Sequence, residues 1–128
     1  MDAGPWIAIV DDDPSVLKAL TRALRVRAFQ TRTYGSAKEF LTALSGGMPN
    51  CLIVDLQMPE MTGLELLQHL TRNGIRIPTI VIPAHADMGF SERCRSAGAG
   101  AFLLKPLQNA ALFAAIEEAI KTPDRGAC

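Results

Sequence analysis

A carboxylate that ends a buried apolar run and is followed by turn residues stands at the rim of a sheet, where it can meet a ligand. Asp55 is such a residue: it closes Leu52-Ile53-Val54 and opens Asp55-Leu56-Gln57-Met58-Pro59-Glu60-Met61-Thr62-Gly63. Ile7-Ala8-Ile9-Val10 likewise runs into Asp11-Asp12-Asp13, and Ala101-Phe102-Leu103-Leu104 runs into Lys105-Pro106. Three strand ends that deliver acids and one base to a common rim would make a cation and phosphate site. Clustered carboxylates repel one another, and a divalent cation relieves that repulsion. Oxygen-only donors favour a hard ion, and Mg2+ typically takes one or two carboxylates, several waters and a substrate phosphate. An aspartate in that setting can attack phosphorus and form an acyl phosphate. Charge on the equatorial phosphoryl oxygens would be neutralised by Mg2+ and the Lys105 ammonium.

The elements that must position these groups are short Ile/Val-rich runs alternating with helical stretches. Strands are expected at about Trp6–Val10, Phe29–Tyr34, Cys51–Val54, Thr79–Ile82 and Ala101–Leu104, the second being the weakest and suited to an edge. After the first, Val16, Leu17, Leu20, Ala23 and Leu24 recur at three- and four-residue spacing, with Pro14 near the helix start. Ser36 and Glu39 read as a capping box for a helix carrying Phe40, Leu41 and Leu44 and stopping at Gly46-Gly47. The third helix puts Leu64, Leu67 and Leu70 inward and ends near Asn73-Gly74. A weakly apolar helix is expected over about 87–96 and a last one over about Asn109–Lys121.

Five βα units with fully apolar middle strands imply a single α/β domain. Its parallel five-stranded sheet is covered on both faces by five helices. A doubly wound, flavodoxin-like order of 2-1-3-4-5 fits, with ligands expected at the carboxyl ends of strands 1 and 3, where Asp11, Asp12 and Asp55 fall. Residues 1–121 form the domain, and 122–128 read as a loose tail or the start of a linker.

Composition narrows the functional class. The 128 residues are 48% hydrophobic and 20% charged, which is globular rather than disordered. Thirteen basic and thirteen acidic residues cancel, so nothing global draws the chain to nucleic acid or anionic lipid. No apolar run approaches the roughly 20 residues of a membrane span, and the segment Met1-Asp2-Ala3-Gly4-Pro5 lacks a secretory pattern. A soluble cytoplasmic domain is expected. Cys51, Cys94 and Cys128 show no metal-ligand spacing, and Cys51, beside a core strand, reads as buried packing.

The acidic pair Asp11-Asp12, the Asp55-Leu-Gln-Met-Pro-x-Met-x-Gly63 segment and Lys105-Pro106, in this order on a five-unit α/β pattern, resemble the receiver domain of two-component response regulators. The resemblance covers essentially the whole chain. It implies a phosphorelay and transcription-regulation role in which Asp55 accepts a phosphoryl group from a sensor histidine kinase or phosphotransfer protein. It further implies that Asp11, Asp12, Asp55 and the backbone carbonyl of Gln57 hold Mg2+, and that Lys105 grips the phosphoryl group. Asp13, just past the pair, serves equally well as a helix cap. The resemblance also implies a cis bond before Pro106, and a dimer surface on the helix at 87–96, the fifth strand and the last helix. That last helix carries more apolar residues than one buried stripe needs, which fits either such a surface or Ala-rich packing within the monomer.

One position departs from the family. Receivers place Ser or Thr at the end of strand 4 to bind the phosphoryl group and draw an aromatic residue of strand 5 inward. Here Ile82 is followed by Pro83, which has neither a hydroxyl nor an N–H. The Ala84 amide remains available to the phosphoryl group, and Phe102 occupies the switch aromatic position without a hydroxyl. Phosphorylation is therefore expected to survive while its coupling to the output surface is altered. His85, two residues past strand 4, reads as a solvated loop histidine ahead of a group acting near the phosphoryl site, His69 as a surface or rim residue of the third helix, and Met58 and Met61 as loop packing. Two other classes remain: an interaction module independent of phosphorylation, favoured by Pro83, and an aspartate-based phosphohydrolase. The latter is disfavoured because only Leu56, Gln57, Met58 and Pro59 separate Asp55 from Glu60, leaving no acid close behind the nucleophile.

Overall fold

The computed structural model describes residues 6–27, 29–55, 58, 60–82, 101–102 and 109–121, with only the backbone at 101, 102, 109 and 121. Strands β1 (Trp6–Val10), β2 (Gln30–Tyr34), β3 (Cys51–Asp55), β4 (Thr79–Ile82) and β5 (Ala101–Phe102) form one sheet in the order β2-β1-β3-β4-β5. Every pairing is parallel. Parallel neighbours need crossovers long enough to return the chain, and helices supply them. The described helices are α1 (Pro14–Val26), α2 (Ala37–Ala43), α3 (Gly63–Arg72) and α4 (Asn109–Lys121). The helix expected at 87–96 and the end of the fifth strand at 103–104 lie outside the described residues.

The alternation of side chains along each strand divides the core into two layers. Ile7, Ile9, Ile53, Ile80 and Ile82 pack with Leu20 and Leu24 of α1 and Leu112 and Ile116 of α4. Ala8, Val10, Leu52, Val54 and Val81 pack on the opposite face with Phe40 of α2 and Leu66, Leu67 and Leu70 of α3. Burying each such Ile or Leu contributes about 1.5–3 kcal/mol. This double cover explains why β1, β3 and β4 read as unbroken apolar runs.

Caps fix where the helices begin. The Asp13 carboxylate accepts the Ser15 N–H at 2.9 Å, and Pro14 occupies the first turn of α1, where its missing N–H costs nothing. Ser36 Oγ accepts the Glu39 N–H at 3.1 Å, but the returning Glu39 carboxylate takes the N–H of Gly35 at 3.0 Å, one residue before the expected partner. The reciprocal box is found instead at α3, where Thr62 and Glu65 exchange bonds of 2.9 and 3.1 Å. Gly74, at φ 71°, closes the far end of α3 in the left-handed region that glycine enters freely.

Three expectations need correction. Leu64 is half-buried, and Leu66 takes the core position assigned to it. Phe29 precedes β2: its N–H donates to the Leu24 carbonyl at 3.2 Å, and its ring packs beside α1. Strand β3 runs one residue further than expected, so Asp55 is its last residue.

Candidate functional site

Ladder register brings the acids together. β1 and β3 pair Val10 with Val54, so the next residue of each chain, Asp11 and Asp55, emerges at the same level of the carboxyl edge. Sheet topology makes this the point where connections diverge: from β1 the chain leaves toward β2, and from β3 toward β4. A crevice at such a point is where open α/β sheets bind ligands. Asp11, Asp12 and Asp55 each offer an oxygen there, all within 4.8 Å of one another. Among the described residues no other group of three potential metal ligands gathers.

The three acids differ in burial. Asp11 and Asp55 are 4% and 5% exposed, whereas Asp12 faces solvent, and Oδ1 of Asp55 is sealed from water. Asp11 is held from both ends: its N–H donates to the Tyr34 carbonyl at 3.1 Å, and its Oδ1 accepts the Asp13 N–H at 2.9 Å. Two ionised carboxylates whose oxygens lie within 4.8 Å of one another repel by about 3.5 kcal/mol at that distance and an effective dielectric near 20. An arrangement of oxygen donors with two of three sheltered from water suits a hard divalent cation, which would offset that repulsion. The donor set therefore fits Mg2+ and offers none of the nitrogen or sulfur ligands that softer metals prefer.

The loop after Asp55 is anchored at spaced points. Met58 is buried in the α2–α3 layer, Met61 packs beside it, and Thr62 begins the cap of α3. Between them Glu60 adopts φ 67°, a conformation that non-glycine residues rarely take. Met58 and Met61 thus serve as loop packing, as expected. Asp13 stands outside the cluster and caps α1. Gln57, Pro83, Ala84, His85, Lys105 and Pro106 lie outside the described residues, as do Cys94 and Cys128, and Phe102 is described only as backbone of β5. Cys51 is a buried thiol, and burial pushes its pKa up from 9.0 to about 12, which suits packing rather than chemistry.

The family model of the response regulator receiver domain matches residues 7–117. The chain belongs to that family. Receiver domains are regulatory units rather than classical enzymes. This one is 37% identical over 120 residues to the response regulator protein TodT of Pseudomonas putida, covering 94% of this chain and 53% of TodT. It is also 37% identical over 113 residues to the transcriptional regulatory protein FixJ of Rhizobium meliloti, covering 88% of this chain and 55% of FixJ. The chain thus spans about half the length of the curated relatives it matches. Among solved structures, FixJ-N superposes with a TM-score of 0.86 at 35% identity, covering 94% of this chain and 96% of that one. The response regulator StyR gives 0.87 at 38% identity, covering 94% and 61%. The flavodoxin-like receiver fold expected from strand order is therefore shared with relatives of known structure. No described helix is long and apolar enough to cross a membrane.

Proposed function

We propose that this receiver takes a phosphoryl group onto Asp55 from a sensor histidine kinase or phosphotransfer protein in the cytoplasm, and thereby changes its affinity for a partner or a second copy. The observation that carries this reading is the buried Asp55 carboxylate within 4.8 Å of the Asp11 and Asp12 oxygens. In the transfer, a carboxylate oxygen of Asp55 forms a bond to phosphorus as the phosphorus–nitrogen bond of a phosphohistidine breaks, and the imidazole leaves with the electron pair. Asp11, Asp12, Asp55 and the Gln57 carbonyl would hold Mg2+, which supplies positive charge against the phosphoryl oxygens. Lys105 supplies a second positive charge, and the Ala84 amide donates to a phosphoryl oxygen. Residues 1–121 form the functional unit, with 122–128 as tail or linker. The surface that includes β5 and α4 serves dimerisation. The relatives' greater length makes an output domain elsewhere in a longer protein the natural recipient of the signal.

Pro83 favours a second reading, in which the domain binds partners without a phosphorylation switch. A hydrogen bond to a charged group contributes about 1.5–3 kcal/mol, which rivals the few kcal/mol that bias a two-state protein. Intact mass after treatment with acetyl phosphate and Mg2+ separates the readings. One stable phosphoryl group, absent in Asp55→Asn, supports the receiver. An unchanged mass in the wild type supports the inert module, and continuous phosphate release without accumulation supports a hydrolase.

A further inference from the structure

Helix α1 has two flanks. One turns toward α4: Arg27 lies 4.3 Å from the Phe113 ring and 3.4 Å from a Glu117 oxygen. The other overhangs the sheet edge at β2 and forms an open groove of about 270 Å3 lined by Leu17, Lys18, Thr21, Arg22, Arg25 and Thr33. Lys18, Arg22 and Arg25 are spaced four and three residues apart, so they form one stripe about 10 Å long. Like charges at that spacing oppose helix formation, and no acid interrupts them: the α1 sequence Pro14–Val26 contains neither Asp nor Glu. Among the described residues no ion pair reaches any of the three. All three are exposed.

The sheet contributes Thr33 of β2 to the groove, and β2 is the edge strand. β2 ends the strand order, and no described strand lies beyond it. Its register, Ile7 with Thr31 and Ile9 with Thr33, turns those threonines toward the α1 face. A strand laid beside β2 would find backbone donors and acceptors along its length, and every second side chain would rise beneath the basic stripe. We infer that the α1–β2 groove docks an extended acidic segment of a partner protein, added beside β2 with acids at alternate positions. Nucleic acid fits less well. Three cations make a small footprint beside that of a DNA binder making roughly 6 to 10 phosphate contacts, no aromatic among the described residues lines the groove for stacking, and backbone pairing at an edge strand has no counterpart in an oligonucleotide. None of the groove residues belongs to the acidic cluster, so this inference stands apart from the phosphoacceptor reading.

The test uses the whole chain and a fluorescein-labelled peptide of alternating Glu and Val. The comparators are a Lys-Val peptide of equal length, a single-stranded oligonucleotide of equal charge, and a Glu-Val peptide methylated on alternate backbone nitrogens. The expected result is amide NMR shifts concentrated at residues 17–25 and 30–34, with anisotropy-derived affinity that falls as salt rises. The triple reversal Lys18→Glu, Arg22→Glu, Arg25→Glu should weaken binding by about tenfold or more. The milder triple Gln variant should weaken it less, and its unchanged amide spectrum away from α1 shows that the fold is intact. The methylated peptide should bind less tightly than its parent. Shifts elsewhere on the molecule, equal affinity for the methylated or Lys-Val peptide, indifference to the reversal, or tighter binding of the oligonucleotide would each overturn the proposal.

Discussion

At the scale of single residues, the acidic cluster stores repulsion that either a cation or the loss of one charge would relieve. Replacing Asp55 with Asn should raise stability in metal-free buffer by roughly 1–3 kcal/mol, seen in urea melts, while abolishing the mass gain with acetyl phosphate. Adding Mg2+ should raise the melting temperature of the wild type and EDTA should reverse it. In Asp12→Asn most of that response should vanish; a full response there would remove Asp12 from the donor set. The Cys51 thiol makes a different demand. Its pKa rises from 9.0 to about 12 on folding, so above pH 9 the unfolded chain loses this proton and the folded chain keeps it. Stability from this group is complete below pH 9 and falls by about 1.4 kcal/mol per unit between 9 and 12. Comparing wild type with Cys51→Ala at pH 8 and pH 10 isolates the effect. Equal pH dependence in the two proteins would refute it.

At the scale of elements, the amino-acid sequence gave away the sheet more readily than the helix faces. Strands buried on both sides leave unbroken apolar runs, and Asp11 and Asp55 stood out because they interrupt such runs. In α3 the spacing of Leu64, Leu67 and Leu70 was misleading. Three residues advance a helix by 300°, so that row drifts off any one face. The face that packs is Gly63, Leu66, Leu67 and Leu70, spaced at 0, 3, 4 and 7, and a buried glycine carries no apolar signal to reveal it. Leu66→Ala should therefore cost about 2–5 kcal/mol and Leu64→Ala distinctly less. Thr62→Ala, which removes the cap of α3, should cost about 1 kcal/mol. Chemical denaturation of the three variants would check the ranking. The basic flank of α1 is not legible in the sequence for the opposite reason: the apolar stripe of the helix says nothing about which of its sides lies over the edge strand, because that depends on strand order.

At the scale of the whole molecule, the parallel α/β layout and the carboxyl-edge acids were legible in periodicity and in the position of Asp11 and Asp55, and the strand order in the weak, edge-suited second strand together with the resemblance to receivers; the coupling between phosphorylation and output, which we propose that Pro83 alters, was legible only as the chemistry of one residue. A proline cannot supply the hydroxyl that a receiver switch uses. Pro83→Thr should enlarge the amide NMR response to beryllofluoride and Mg2+ across residues 79–102, and an unchanged response would remove Pro83 from the switch.

Because Asp11 and Asp55 are brought level by the pairing of Val10 with Val54, the height of the two acids on the sheet is indexed by counting residues along the two strands. Conservative exchanges within β1 or β3 should be tolerated so long as packing volume is kept. Inserting or deleting one residue in either strand would instead turn its acid to the opposite side of the sheet. Evolution of this chain is thus free to respell those strands but not to change their length.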